Sequence, residues 1–202
     1  WNEDNFDIER LQYTREAYAA GKYAFVSDVA RIEALYQYGG FYMDTDVEVL
    51  KSFNPLLEAQ CILGMEEKEY VATSFMAFEK GHPLVKEFLN LYEHLSFLDE
   101  KGQIIAGTNV AKLTKMLKEK GFVQENHYQE LENGIQIYPK EFFSPYDYIN
   151  CHYNITENSY CVHHFAVSWM SKKEQVKKGI KKRIVKILGP EKMNGIREKL
   201  KR

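Results

Sequence analysis

The sequence predicts an α/β fold, because apolar runs of strand length alternate with amphipathic runs of helical period along its 202 residues. Two further observations agree. Hydrophobic residues make up 45% of the chain and aromatics 14%, against 28% charged, which is enough for a full core and too much for wholesale disorder. Gly39-Gly40, Asn54-Pro55 and Gly121 also fall between periodic runs. At roughly 150 residues per domain, the length predicts one domain with a short appendage.

The elements follow in order. Asp7 to Tyr23 reads as a surface helix, with Ile8, Leu11, Gln12, Tyr18 and Ala19 at helical spacing. Phe25 to Tyr38 is a stronger helix, with Phe25, Val29, Ile32, Leu35 and Tyr36 on one side. Gly39-Gly40 stops it, since glycine tolerates a positive φ. Phe41-Tyr42-Met43 reads as a short buried strand, and Val47 to Leu50 alternates like a second. Asn54-Pro55 breaks the chain, and Cys61 to Met65 is another strand. Pro83 opens a helix to about Leu95, at the first-turn position that tolerates its missing donor. Val110 to Lys118 is a further amphipathic helix, stopped by Gly121. Ile135 to Tyr138 and Tyr160 to Phe165 read as later strands.

The net charge of −2 hides an asymmetry. Residues 171–202 hold 13 Lys and Arg against 3 Asp and Glu, leaving 14 basic and 26 acidic residues in 1–170. The chain thus divides into a body, 1–170, and a basic segment, 171–202. An acidic body does not suit a nucleic-acid-binding core. No apolar run approaches the ~18 residues that cross a bilayer. Cys61, Cys151 and Cys161 form no even, closely spaced framework, so reduced thiols and a cytoplasmic setting are expected. The first residue is Trp1, not Met, so the chain is expected to be an excerpt.

Asp44-Thr45-Asp46 directly follows an apolar strand. Carboxylates at the C-terminal edge of a strand in an α/β sheet face the crevice where such folds bind ligands. Two of them, one residue apart, suit a hard divalent cation with positions left for phosphate oxygens and water. Such a cation would neutralise a departing diphosphate. Asp28 and Arg31 are three apart, hence neighbours on one helix face, and a helix end, a turn and one strand separate them from the triplet. An exposed i,i+3 ion pair would also explain their spacing, but not their placement beside the triplet.

The stretch Lys22-Tyr23-Ala24-Phe25-Val26-Ser27-Asp28-Val29-Ala30-Arg31, with Leu35-Tyr36, Tyr38-Gly39-Gly40-Phe41-Tyr42 and Asp44-Thr45-Asp46-Val47-Glu48, closely resembles the sugar-binding D-x-D region of glycosyltransferase family 32. The match is dense over about residues 22–57. The resemblance implies a GT-A fold, a Rossmann-like sheet holding a nucleotide sugar and a divalent metal, Mn2+ or Mg2+. It also implies transfer with retention, and a setting in polysaccharide or capsule synthesis. It assigns Asp28 and Arg31 to the donor sugar, ribose or phosphates, Asp44 to ribose, sugar and metal, and Asp46 to the metal. Gly40 and Tyr42 would shape the donor floor. It further implies a base-binding strand ahead of Trp1-Asn2-Glu3, absent from this chain.

Tyr160 to Phe165, containing His163-His164, leads into Ser168-Trp169, similar to a closing H-H-x-x-x-S-W element of the family. The resemblance gives Ser168 and Trp169 to the leaving diphosphate and His164 to the metal, ahead of His163. An imidazole would favour manganese over magnesium. Gly107-Thr108-Asn109 resembles the family's acceptor-side region faintly, lacks its proline, and is given no role. Glu66 and Glu67 end a strand and could line the acceptor side, although surface carboxylates are the first expectation.

The leading expectation is therefore a metal-dependent hexosyltransferase that takes a UDP- or GDP-sugar and a glycan or lipid-linked acceptor. Two alternatives stand beside it. One is a haloacid-dehalogenase-like phosphohydrolase, whose second Asp wants Thr or Val two residues later where Glu48 stands here. The other is a non-catalytic nucleotide-sugar-binding module. Within the basic segment, Val176, Ile180, Ile184 and Ile187 form an apolar stripe among lysines from 172 to 188. The expectations are a helix packed on the body or an interfacial helix on an anionic membrane.

Overall fold

The computed structural model describes residues 4–67, 69–147 and 150–166, and residues 179, 180, 183, 185 and 189 of the C-terminal stretch. Trp1, Asn2, Glu3, Ser168, Trp169 and most of the basic segment lie outside the described residues. No helix among the described residues is long and apolar enough to cross a membrane.

The expected first helix is divided. Asp7 caps a 3-10 turn, Ile8–Arg10, by accepting from the Glu9 N–H at 3.1 Å, and Leu11 is extended. Helix α1, Gln12–Ala19, follows, and Gly21 at φ +67 turns the chain into α2, Tyr23–Tyr38. A polar cap and one glycine broke what periodicity read as continuous. Helix α2 buries Val26, Val29, Ile32 and Leu35, the side the sequence marks as apolar. It ends at Gly39, whose φ of 68° and ψ of −162° suit glycine almost alone. A Cβ there would also lie 2.6 Å from the Lys80 backbone nitrogen.

Strand β1, Gly40–Met43, and β2, Val47–Val49, fall where expected. Strand β3, Cys61–Glu67, is longer than expected. Strand β4, Tyr70–Phe78, has no counterpart in the sequence reading. Its Val71–Phe78 run is buried on both faces, so it lacks the alternation that marks a half-exposed strand. Helices α3, Pro83–Glu93, and α4, Asn109–Glu119, match expectation. Short elements complete the order: β5 Gln129–Leu131, β6 Ile135–Tyr138, α5 Lys140–Phe143, β7 Tyr146–Asp147, β8 His152–Tyr153 and β9 Cys161–His163.

The main sheet runs β1-β4-β3-β6-β5, with β3 and β6 parallel and its other pairs antiparallel. This mixed α/β sheet carries two cores. On one face Leu63, Met65, Met76 and Phe78 meet the apolar sides of α1 to α4. On the other, Ile62, Phe75 and Ala77 meet Leu56, Phe143 and Cys161. Phe143 stacks on Phe75 at 4.1 Å, and a Cβ on Gly64 would come within 2.8 Å of the Phe143 ring. The second core seats the ribbon of β2 and β9, which pair antiparallel with Val47 opposite His163.

Candidate active site

Strand β4 is bulged against β3. Leu63 pairs with Met76, but Met65 pairs with Val71, so β4 carries extra residues across 72–75. A bulge leaves ladder groups unpaired and re-aims the strand. Two carbonyls of this stretch serve the site: Ser74 accepts from the Asp44 N–H at 2.9 Å, and Thr73 accepts from Arg31 Nη1 at 3.0 Å. Beyond β1 the chain turns, with the Val47 N–H donating to the Asp44 carbonyl at 3.0 Å. The turn brings Asp44 and Asp46 to the rim of one cleft.

Arg31 reaches this cleft from α2. Its guanidinium meets Asp28 Oδ1 at 3.1 Å and Asp44 Oδ1 at 2.9 Å, and lies over the Tyr42 ring at 4.7 Å. The Tyr42 hydroxyl donates to the same Asp44 oxygen at 2.7 Å. The Arg31 side chain is only 9% exposed, so Asp28 and Arg31 are not a surface pair. Burial pushes the Asp28 carboxyl up to about 6, partly offset by the Arg31 charge.

On the far side, Asp46 receives residues 163–166. His163 Nε2 is 3.2 Å from Asp46 Oδ1, and the Ala166 N–H donates to Asp46 Oδ2 at 2.7 Å. Phe165 bends the chain between them at φ +50, a conformation that costs a bulky side chain roughly 1–3 kcal/mol. Its ring packs on that of His163 at 4.0 Å.

Ligand atoms of Asp44, Asp46 and His163 all lie within 4.8 Å of one another. This donor set fits a divalent cation. Two carboxylates and one imidazole suit manganese, and burial holds the His163 pKa down, keeping the imidazole in its ligating neutral form. His163 Nδ1 is buried and has no hydrogen-bond partner among the described residues. His164, the ligand expected from the sequence, faces elsewhere. Just past the end of β9, His164 pairs with Glu48 and Tyr153, both at 2.9 Å. His163 takes its place in the cluster.

The cleft has a volume of about 490 Å³, and its walls include Asp28, Arg31, Tyr42, Asp44, Asp46 and His163. Gly40 is not among them. It opens β1 opposite Phe78, about 13 Å of strand away from Asp44, so the expected donor-floor role does not match its position. Ser168 and Trp169 lie outside the described residues.

Several wall residues escaped the sequence reading. Thr108 and Asn109 line the cleft, and Asn109 is buried, accepting from the Tyr92 hydroxyl at 2.5 Å and donating to the Asp28 carbonyl at 3.3 Å. Glu66, expected at the surface or on the acceptor side, also lines it. The signal for Thr108 and Asn109 was present as Gly107-Thr108-Asn109. The Thr73 and Ser74 carbonyls had none, because a bulge inside an unrecognised strand leaves no mark in side-chain pattern. A second cavity of about 410 Å³ shares Ser27, Arg31 and Tyr42 with the cleft and is lined by Phe6, Ile8, Tyr18 and Tyr23.

Comparison with known proteins matches the segment that carries Asp28, Arg31, Asp44 and Asp46. Residues 1–63 match the family model described as the glycosyltransferase sugar-binding region containing the DXD motif. Lactosylceramide 4-alpha-galactosyltransferase from Mus musculus is 32% identical over 125 residues, covering 62% of this chain and 33% of that protein. Its Homo sapiens counterpart is 30% identical over 121 residues, covering 59% of this chain and 32% of that protein. Inositol phosphoceramide mannosyltransferase 3 from Schizosaccharomyces pombe is 31% identical over 71 residues, covering 35% of this chain and 20% of that protein. The matches to the two galactosyltransferases thus span about a third of those relatives' length. No solved structure matches the chain significantly.

Proposed function

We propose that this chain, whose residues 1–63 match the DXD-containing sugar-binding region of glycosyltransferases, is a metal-dependent, retaining hexosyltransferase of GT-A type. It moves a sugar from a UDP- or GDP-sugar to a glycan or lipid-linked acceptor in the assembly of a polysaccharide or glycolipid. The observation that carries the reading is the convergence of Asp44, Asp46 and His163 within 4.8 Å, beside an Arg31 already committed to Asp28 and Asp44. Relatives that transfer galactose to lactosylceramide and mannose to inositol phosphoceramide, by their names, support a glycolipid acceptor.

Manganese held by Asp44, Asp46 and His163 would supply charge neutralisation for the leaving nucleoside diphosphate. The chain's own residues do the positioning. Arg31 and Tyr42 both hold Asp44 Oδ1, which fixes the carboxylate and leaves Oδ2 without a donor among the described residues. Asp28, held by Arg31, offers an acceptor for the sugar's hydroxyls. Thr108, Asn109 and Glu66 wall the space for the incoming acceptor hydroxyl. The aromatic cavity behind Arg31 and Tyr42 suits a flat nucleobase. Orientation and preorganised charge carry the rate.

The working place we propose is the cytoplasmic membrane face. Three cysteines with no even, closely spaced framework support a reducing compartment, and the lysine-rich stretch 172–188 supports contact with anionic lipid. Of its stripe, Ile180 is exposed. A thermal-shift panel of UDP, GDP and their sugars, with and without Mn2+, tests the donor reading. A Mn2+-dependent shift with one nucleotide supports it, and no shift with any of them contradicts it.

A further inference from the structure

Three side chains outside the cleft converge on the segment that faces Asp46. His164 Nε2 lies 2.9 Å from Glu48 Oε2, and His164 Nδ1 lies 2.9 Å from the Tyr153 hydroxyl. A neutral imidazole with its proton on Nε2 satisfies both: it donates to the carboxylate and accepts from the phenol. The partners come from different places, Glu48 from β2 and Tyr153 from the β7–β8 hairpin. That hairpin also holds Phe165, because the Tyr146 ring lies 5.8 Å from Phe165 and 4.7 Å from Tyr153.

The anchored residue is central to the cation site's far wall. The His164 backbone N–H donates to the Asp46 carbonyl at 3.0 Å. One residue earlier, His163 faces Asp46 Oδ1, and two residues later the Ala166 N–H meets Oδ2. Both Asp46 oxygens are therefore oriented by a short segment that the His164 side chain ties to two other elements. We infer that Tyr153, His164 and Glu48 are positioning residues that hold His163 and Asp46 in register for the divalent cation. This rests on the proposed cation site. Groups that hydrogen-bond a metal's ligands change its affinity about 10–100-fold when removed, and these two, acting through His164, belong at the lower end of that range.

The test is Mn2+ binding read directly, by the EPR signal of free Mn2+, in the full chain and its variants. Tyr153→Phe keeps the ring packing and deletes the hydroxyl, while Glu48→Ala deletes the carboxylate. Each should raise the Mn2+ dissociation constant about tenfold or more, and Glu48→Gln, which keeps an acceptor for Nε2–H, should restore it to within threefold. Melting temperature should hold, and kcat should recover at saturating Mn2+. Dissociation constants within twofold of wild type for both deletions overturn the clamp. So does weakened binding that appears only with a lowered melting temperature, which makes the contacts merely structural. Wild-type protein that binds no Mn2+ overturns the cation site itself, a failure read without any variant.

Discussion

Arg31 Nη1 lies 2.9 Å from Asp44 Oδ1 and 3.0 Å from the Thr73 carbonyl, so one guanidinium joins α2, the β1 turn and the β4 bulge. Its Nη2 meets Asp28 Oδ1 at 3.1 Å. The planar fork thereby fixes two carboxylates of the cleft relative to each other. An ammonium cannot span these acceptors at once.

Arg31→Lys should therefore cut kcat/KM about 100-fold, the loss of one or two charge-assisted hydrogen bonds at roughly 1.5–3 kcal/mol each. Steady-state kinetics measure it. Near-wild-type values would reduce Arg31 to a charge.

Asp46→Ala should abolish transfer and leave the melting temperature nearly unchanged. The side chain stands at the cleft rim, about a quarter exposed, and supports no core packing. Excess chelator should reproduce the loss in wild type. Full activity in chelator would remove the metal from the mechanism.

Asp28 sets opposing pH trends for stability and binding. Its pKa rises from an ordinary 3.8 to about 6 on folding, because burial penalises the charge. The folded state binds more protons between those values, so this group's contribution is fully present below pH ~4 and is lost as pH rises through 6. Denaturation from pH 4 to 7 should show a decline on the order of 2–3 kcal/mol that Asp28→Asn removes. Donor affinity should rise over the same range as the carboxylate ionises. A flat stability profile in wild type, matching Asp28→Asn, would contradict the burial account.

The basic segment gives a separate prediction. Sedimentation at low salt should show binding to anionic but not neutral vesicles, at ~1 kcal/mol per basic residue near the surface. Truncation after Met170 should remove it. Failure of the intact chain to bind anionic vesicles would leave only the packed-helix expectation.

Much of this was legible in the sequence, for identifiable reasons. Helix α2 announced itself through Val29, Ile32 and Leu35, and β1 through its apolar run between a Gly-Gly stop and the acidic triplet. The donor-side residues Asp28, Arg31, Tyr42 and Asp44 were legible because they are local to one helix-turn-strand unit, and the structure brings them into contact. Strand β4 was not, since burial on both faces erases the period-two signal. The choice between His163 and His164 was not legible either. It depends on which face of β9 meets the Asp44–Val47 turn, a matter of strand pairing rather than composition. Glu48 and Tyr153 are 105 residues apart and share a partner only through the fold.

The most direct measurement is release of nucleoside diphosphate from UDP- and GDP-sugars in Mn2+, with a glycolipid acceptor present, by wild type and Asp46→Ala side by side. The account predicts release from one sugar nucleotide, coupled to glycosylated acceptor, dependent on Mn2+ and absent in Asp46→Ala. Release of inorganic phosphate from a monoester, or Mn2+-dependent binding of a nucleotide sugar with no turnover under any acceptor, would contradict it.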